Sequence, residues 1–403
     1  MNMNLGVSID TRTLQSGNIF VAIIGDQQDG HDYVQEAKNR GASLAVVQRE
    51  LKVDIPQMVV EDTTKALGDM ARQWRQQFSV PVIGITGSNG KTTVRNMVAA
   101  ILKADVGDNA VLVAEKNYNN HWGMPLTLLR LRAHHRYVVL EMGMNHAGEI
   151  AYLTDIAKPD IAVITLAAEV HLEGLGSLEN IAKAKGEILG GLSPEGVAVL
   201  NVEDRFFPYW KGLLHGQRVI PFDLSLVGDR PVSLPGRHNR MNAAAAIAAV
   251  SALVSPPSEA AIIQGLQYVN PQAGRLCFIT SRNGALIIDD TYNCSMASLS
   301  AAMEVLHQQT GMKIVVLGDI SELGEQAERT HREVATVIKA DLFIAVGAMI
   351  KFAYDAYAGK KYYFTNKAEA LPLLQSFDRA GNVLLFKGSR RAAMEQLMAM
   401  AIE

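Results

Sequence analysis

The stretch Ile83-Gly-Ile-Thr-Gly-Ser-Asn-Gly-Lys-Thr-Thr carries the densest chemistry in the chain. Its glycines let backbone N–H groups turn toward an anion with no Cβ in the way. A strand over Val82–Thr86 and a helix over 94–102 would place the loop at a helix N-terminus, where the dipole favours phosphate. Lys91 can reach outer phosphates, and the Thr92 hydroxyl can ligate Mg²⁺. The strict phosphate-loop pattern has glycine where Ile85 stands. A glycine-rich turn that holds nothing is the plain alternative. Strand, Gly-Lys-Thr and helix in succession favour a nucleoside triphosphate.

Glu141 ends the apolar run Tyr-Val-Val-Leu-Glu, and His171 lies just past the run 161–166. Both fall at the carboxyl edge of a sheet, where α/β proteins bind ligands. There they can hold Mg²⁺ directly or through water, although imidazole is an unusual partner for that ion. Alone, each reads equally well as a solvated strand-end acid and a loop histidine. A helix over 179–192 carries two lysines. Lys183 lies one turn from Glu179 and Glu187, which suits an exposed ion pair. Lys185 lies one turn from Ile181, Ile188 and Leu189, so it points inward. A buried ammonium tends to lose its proton, and the neutral amine can then take up CO₂ as an anionic, metal-binding carbamate. Snorkelling of Lys185 to solvent is the alternative.

These groups need a scaffold. Short Val- and Ile-rich runs at 82–86, 110–114, 137–141, 161–166 and 197–201 alternate with helical patterns. That alternation predicts a parallel sheet covered on both faces. Before it, strands at 7–11, 19–24 and 45–47 and helices at 32–40 and 66–78 make a small unit. After Pro271, Gly274 and Arg275, which read as a hinge, strands at 285–288, 313–317, 342–346 and 383–386 alternate with helices again. The expected fold is α/β in three domains, 1–78, 79–271 and 272–403, the last Rossmann-like. A strand at 219–222 followed closely by Leu234-Pro-Gly-Arg-His leaves little room for a sheet edge.

The 403 residues exceed one ordinary core. A net charge of −3 gives no reason to expect nucleic acid or membrane as partner. The two cysteines, Cys277 and Cys294, form no CxxC pair, so neither a disulfide framework nor a zinc site is suggested. Residues 1–10 lack an apolar signal core, and no apolar run spans a bilayer, so the expected location is cytoplasmic. No Asn-Lys-x-Asp is present to read guanine. A P-loop kinase and a non-enzymatic nucleotide module remain as rivals, but the module would leave Lys185, Arg275 and Asp290 without a shared purpose.

The chain resembles the Mur ligase family. Thr86-Gly-Ser-Asn-Gly-Lys-Thr-Thr looks like that family's ATP loop, which implies Thr86, Gly87, Ser88, Asn89, Gly90, Lys91, Thr92 and Thr93 at the nucleotide. Asn117-Tyr-Asn-Asn resembles its asparagine-rich loop, implying Asn119 and Asn120 near the phosphates. Gly236-Arg-His-Asn-Arg-Met-Asn implies Asn242 near the base. Gly274-Arg-Leu implies Arg275 as the hinge arginine that reaches the γ-phosphate. Asp289-Asp-Thr-Tyr-Asn implies Asp290 at the ribose, with Tyr292 and Asn293 at substrate. Glu141, His171 and Lys185 stand where the family has its metal glutamate, metal histidine and carbamoylated lysine.

The resemblance covers nearly the whole chain and implies ATP, two Mg²⁺ ions and a CO₂-derived carbamate on Lys185. Blocks such as Leu140-Glu-Met-Gly-Met-Asn-His and Gly318-Asp-Ile-Ser-Glu-Leu-Gly resemble the member that joins D-alanyl-D-alanine to UDP-N-acetylmuramoyl-tripeptide. Asp10, Thr11, Arg12 and His31 would then hold the UDP end. The third domain would close over ATP about Arg275 and bind the incoming dipeptide. A monomer is expected. Other family members and folylpolyglutamate-synthase relatives share the chemistry. Two departures stand out. The chain is shorter than family members usually are before Gly6 and around Ser225-Leu226, as if segments were missing there. Cys294-Ser295 replaces the usual Ala-Asn after Tyr292-Asn293.

Overall fold

The computed structural model describes residues 6–115, 117–170 and 172–402. Three sheets organise them. The first is four parallel strands in the order of the chain: β1 (Val7–Ser8), β2 (Ile19–Val21), β3 (Leu44–Val47) and β4 (Gln57–Val59). The strand expected at 19–24 stops at Val21, and Ile24 makes only an isolated bridge to Asp29. β4 is too short and too exposed to show in a hydrophobic pattern. The helix Thr63–Arg75 starts three residues ahead of the expected 66, because Asp62 caps it by accepting from Thr64 and Lys65 N–H. Its apolar face, Leu67, Met70, Ala71 and Trp74, is buried in one cluster shared with the central domain.

The central sheet contains β5 (Val82–Thr86), β6 (Val111–Val113), β7 (Tyr137–Glu141), β8 (Ile161–Ile164), β9 (Val197–Asn201) and β10 (Arg218–Phe222). All pairings are parallel, in the order β10-β9-β8-β5-β7-β6. The segment that looked cramped is the edge strand β10, paired with β9 along its whole length. A short 3-10 turn, Leu224–Leu226, capped by Asp223, carries the chain onward without another strand pair. An edge strand needs one neighbour only, so the short connection suffices.

The third sheet holds β11 (Cys277–Thr280), β12 (Leu286–Asp290), β13 (Met312–Gly318), β14 (Leu342–Val346), β15 (Lys361–Phe364) and β16 (Asn382–Lys387), ordered β11-β12-β16-β13-β14-β15. Only β11 is antiparallel. β11 and β15 are the two edges, half exposed, and so lack the continuous apolar run that marks the inner strands. No helix among the described residues is long and apolar enough to cross a membrane.

Both larger sheets reverse their strand order at one point, beside β5 in the centre and between β12 and β13 in the third. Such switch points open crevices at the carboxyl ends of strands. The phosphate loop, Glu141, Asp290 and Lys387 all sit at those ends.

Candidate active site

The helix after β5 runs Lys91–Val106, longer than the expected 94–102, and begins on the phosphate loop itself. Gly87 and Gly90 have φ of 146° and 84°, a backbone that residues with a Cβ rarely adopt. A Cβ on Gly87 would lie 1.9 Å from Thr165 Oγ1, and one on Gly90 2.3 Å from Asn242 Oδ1. The loop is anchored to the next strand by Ser88 N–H to Leu166 O (2.8 Å), Ala168 N–H to Ser88 Oγ (2.9 Å) and Thr165 Oγ1 to Asn89 O (2.6 Å). Thr86 points away from the loop and donates to Met142 O. Lys91 Nζ donates to the carbonyls of Gly87 (2.7 Å) and Ser88 (3.2 Å). Burial pushes its pKa down, Glu141 opposes that, and Arg275 adds to it.

Glu141 is 2% exposed. Asn119 Nδ2 donates to its Oε1 at 2.8 Å. Its Oε2 lies 3.5 Å from Arg95 Nη1 and accepts no hydrogen bond among the described residues. Arg95, one helical turn below Lys91 and itself buried, escaped the sequence reading, although its i+4 spacing from Lys91 is visible there. Asn120 lines the same cavity as Asn119, and its side-chain oxygen accepts from Trp122 and Gly123 N–H at the start of the helix Gly123–Leu128.

Lys185 is fully buried, as its helix face required, and Nζ has no hydrogen-bond partner among the described residues. Burial drives its pKa well below the ordinary lysine value, Lys91 pushes the same way, and Glu141 works against both. Lys91, Glu141 and Lys185 therefore share one electrostatic neighbourhood. The helix that carries Lys185 is Leu178–Gly186, and a 3-10 turn, Glu187–Gly191, replaces the rest of the expected 179–192 helix. Lys183 is exposed. The ion pairs expected for it are not the ones formed: Glu179 pairs with Arg205 at 2.6 Å, and Glu187 accepts Gly148 and Ala151 N–H at the start of another helix. Unmet N–H groups at a helix start are strong competitors for a carboxylate. His171 lies outside the described residues.

The third domain closes the site from the opposite side. Gly274 (φ 75°) and Leu276 (φ 54°) flank Arg275 in left-handed backbone, a conformation that is strained for leucine. Arg275 Cζ stacks 4.1 Å over the Tyr292 ring, and Nη2 donates to Thr92 Oγ1 at 3.2 Å. Asp290 and Lys387 are cross-strand partners at the ends of β12 and β16 and form a buried ion pair. Burial pushes the Asp290 pKa up and Lys387 pulls it back. Lys387 also donates to Asn293 O at 2.9 Å. Asn293 uses its side-chain oxygen on Cys294 N–H. Ser295, where asparagine was the expected residue, caps the helix Met296–His307 in a capping box with Ser298 and receives Asn89 Nδ2 at 3.5 Å. The Cys294 thiol is buried and its pKa raised to about 11 by that burial.

Two cavities meet here and share Asn89, Gly90, Arg275, Asp290 and Ser298. One, of about 450 Å³, is lined by Thr93, His238 and Asn242, with apolar walls from Leu234, Ala245 and Val269. Asn242 donates to Asn239 Oδ1 at 3.1 Å. Burial pushes the His238 pKa down to about 4, so its ring is neutral. The other, of about 370 Å³, is lined by Lys91, Thr92, Asn119, Glu141, Tyr292 and Lys387 and runs between the two larger domains.

The four residues expected at the UDP end lie apart from both cavities, on the first sheet's unit. Asp10 pairs with Arg12 (2.7 Å), whose side chain is exposed. Thr11 is buried. His31 is buried with both ring nitrogens engaged, Nδ1 by Asp29 Oδ1 (2.5 Å) and Nε2 by Gln48 N–H (2.8 Å). It fixes a turn rather than offering a free imidazole.

The residues fit a hard divalent cation in part. Thr92 Oγ1 and the unbonded Glu141 Oε2 are oxygen donors at one place, and Lys185 would add a third as a carbamate. Among the described residues no cluster of three or more His, Cys, Asp or Glu is built for a metal.

Family models match three stretches of the chain: "Mur ligase family, catalytic domain" over 5–75, "Mur ligase middle domain" over 85–230 and "Mur ligase, glutamate ligase domain" over 274–390. The UDP-N-acetylmuramoyl-tripeptide–D-alanyl-D-alanine ligase of Escherichia coli K12 is 37% identical over 423 residues, 97% of this chain and 92% of that one. A crystal structure of MurF from Acinetobacter baumannii superposes with a TM-score of 0.90 at 34% identity, covering 98% of this chain and 93% of that one. MurF ligase from Thermotoga maritima in complex with ADP superposes with a TM-score of 0.85 at 25% identity, covering 100% and 98%.

Proposed function

This chain belongs to the Mur ligase family, and we propose that within it the chain joins D-alanyl-D-alanine to UDP-N-acetylmuramoyl-tripeptide at the expense of ATP. The full-length likeness to relatives of that name supports the choice of substrates. The observation that carries the chemistry is the convergence of Lys91, Glu141 and Lys185 from the central domain with Arg275 from the third.

The tripeptide's terminal carboxylate attacks the γ-phosphorus of ATP, giving an acyl phosphate and ADP. The dipeptide amine then attacks the acyl carbon, and the tetrahedral intermediate expels phosphate to leave an amide. Two anions meet in the first step, so positive charge must be fixed in advance. Lys91 leaves its loop carbonyls for the outer phosphates. Arg275, held flat by Tyr292, shifts from Thr92 to the transferring group. The backbone N–H groups of 87–92 bind phosphate oxygens at the helix start. Asn242 and neutral His238 face the base cavity, and Asp290, held by Lys387, faces the ribose. A bound Mg²⁺, held by Thr92, Glu141 and a carbamate on Lys185, would neutralise phosphate charge. His171 is proposed as a further ligand on the family resemblance. Asp10, Thr11 and Arg12 are proposed at the UDP end, with His31 shaping the turn. The site's place is the cytoplasm, where ATP and nucleotide-linked precursors are found.

The test is phosphate release from ATP with UDP-N-acetylmuramoyl-tripeptide, with and without D-alanyl-D-alanine. Release that requires both substrates, with pentapeptide as product, is expected. Turnover with a single amino acid in place of the dipeptide would refute the reading.

A further inference from the structure

One buried charge has no task in the chemistry above. Arg95 lies one turn below Lys91 on the helix Lys91–Val106 and is 2% exposed, yet it stands in the wall of neither cavity. A ligand held in either one does not touch it. A guanidinium is costly to bury, and it stays inside a fold where fixed partners offset the lost hydration. Arg95 Nε and Nη2 both donate to Asn96 Oδ1, at 3.1 and 3.0 Å, which grips one edge of the planar group. Nη1 lies 3.5 Å from Glu141 Oε2. Glu141 itself lines the cleft, so Arg95 approaches it from behind the wall. Burial pushes the Arg95 pKa down, Glu141 pulls it back up, and Arg275 adds to the burial effect.

Glu141 is thus held at both oxygens. Asn119 donates to Oε1 at 2.8 Å, and Arg95 draws Oε2 by charge without forming a hydrogen bond. The carboxylate has a fixed direction, and the Oε2 lone pairs stay unused. Lys91 and Lys185 also feel the charge of Glu141. Under the proposed function neither can hold it once the site fills, because Lys91 leaves for the outer phosphates and Lys185 becomes an anion. Arg95 can, since its bonds to Asn96 keep it from following the phosphates. We infer that Arg95 is the positioning residue for Glu141: it fixes the cation-binding carboxylate in the cleft wall and touches neither substrate nor cation. The inference rests on the proposed reading of Glu141 as a cation ligand. Removing a partner that stands behind a metal ligand commonly weakens the metal 10–100-fold. The charge of Arg95 also repels a cation, so a residue that acted by charge alone would give the opposite sign on removal.

The test measures Mn²⁺ binding to the enzyme–ADP complex by electron paramagnetic resonance, which needs no turnover. Arg95→Met should weaken Mn²⁺ about tenfold, while the KM values for UDP-tripeptide and D-alanyl-D-alanine stay within about twofold. Arg95→Lys, which restores the charge on a shorter reach, should recover part of the loss. Should Arg95→Met fail to fold, Arg95→Gln carries the test, being neutral but still able to bond to Asn96, with the same loss expected. Unchanged or tighter Mn²⁺ binding in a folded neutral variant would overturn the inference, and so would equal losses in Mn²⁺ affinity and both KM values, the mark of a general packing defect. Glu141→Gln tests the reading beneath it. If that variant binds Mn²⁺ as wild type does, the cation role of Glu141 falls and the inference with it. If Glu141→Gln loses Mn²⁺ and the neutral Arg95 variant does not, the inference alone falls.

Discussion

Arg275 Nη2 sits 3.2 Å from Thr92 Oγ1, so a residue that follows the central domain in sequence touches the first helical turn of the phosphate loop. The contact uses the hydroxyl oxygen that a phosphate-bound cation would need. Nucleotide and Arg275 must therefore exchange partners as the site fills. Arg275→Ala should lower kcat by about 10²–10³, the usual cost of one lost donor to a transition-state oxyanion. UDP-tripeptide affinity by calorimetry should be nearly unchanged. Equal losses in both would assign Arg275 a structural role.

Lys91→Ala should abolish turnover. The sequence alone suggests no effect on folding, but Lys91 bonds to the carbonyls of Gly87 and Ser88. Leaving them unpaired should lower stability by about 1–3 kcal/mol. Turnover and a denaturant melt on the same sample check both. A variant with near-normal ligation would contradict the phosphate-loop assignment.

Lys185→Ala should lose most activity, and acetate should restore part of it by standing in for a carbamate. Lys183→Ala should do little, since Lys183 is exposed. The reverse result would refute both the helix-face argument and the carbamate.

The same lysine predicts a pH effect on stability. Its folded pKa is lowered well below 10.5, so between the two values the unfolded chain binds the extra proton. Stability then rises with pH across that window. In CO₂-free buffer Lys185→Met should melt above wild type at neutral pH, with the gain shrinking as pH approaches 10.5. A gain that is constant with pH would show that the folded amine keeps its proton.

Asp290 and Lys387 are buried together, and removing either leaves the other's charge uncompensated. Asp290→Asn or Lys387→Met alone should cost about 3–5 kcal/mol, and the double variant clearly less than their sum. Additive losses in a thermal melt would show that the two act independently.

The sequence by itself determined the phosphate loop, the inward face of Lys185, the alternating β and α pattern of the larger domains and the family. Each is written in residues close together along the chain: glycines beside a lysine, an apolar spacing of one helical turn, runs of Val and Ile. Those signals depend on local sterics and on the period of one element, so they survive without a partner. The edge strands β4, β11 and β15 were illegible because half-exposed strands lack a continuous apolar run. The partners of Glu179 and Glu187 were misread for a related reason, since periodicity knows only neighbours on the same helix, whereas Arg205 and the N–H groups of Gly148 and Ala151 arrive from elsewhere. Tertiary structure alone decided that Arg95 lies against Glu141 and that His31 is locked in a turn. Each of these depends on which strand ends the sheet order brings together, and that order is fixed by packing between segments far apart in the chain.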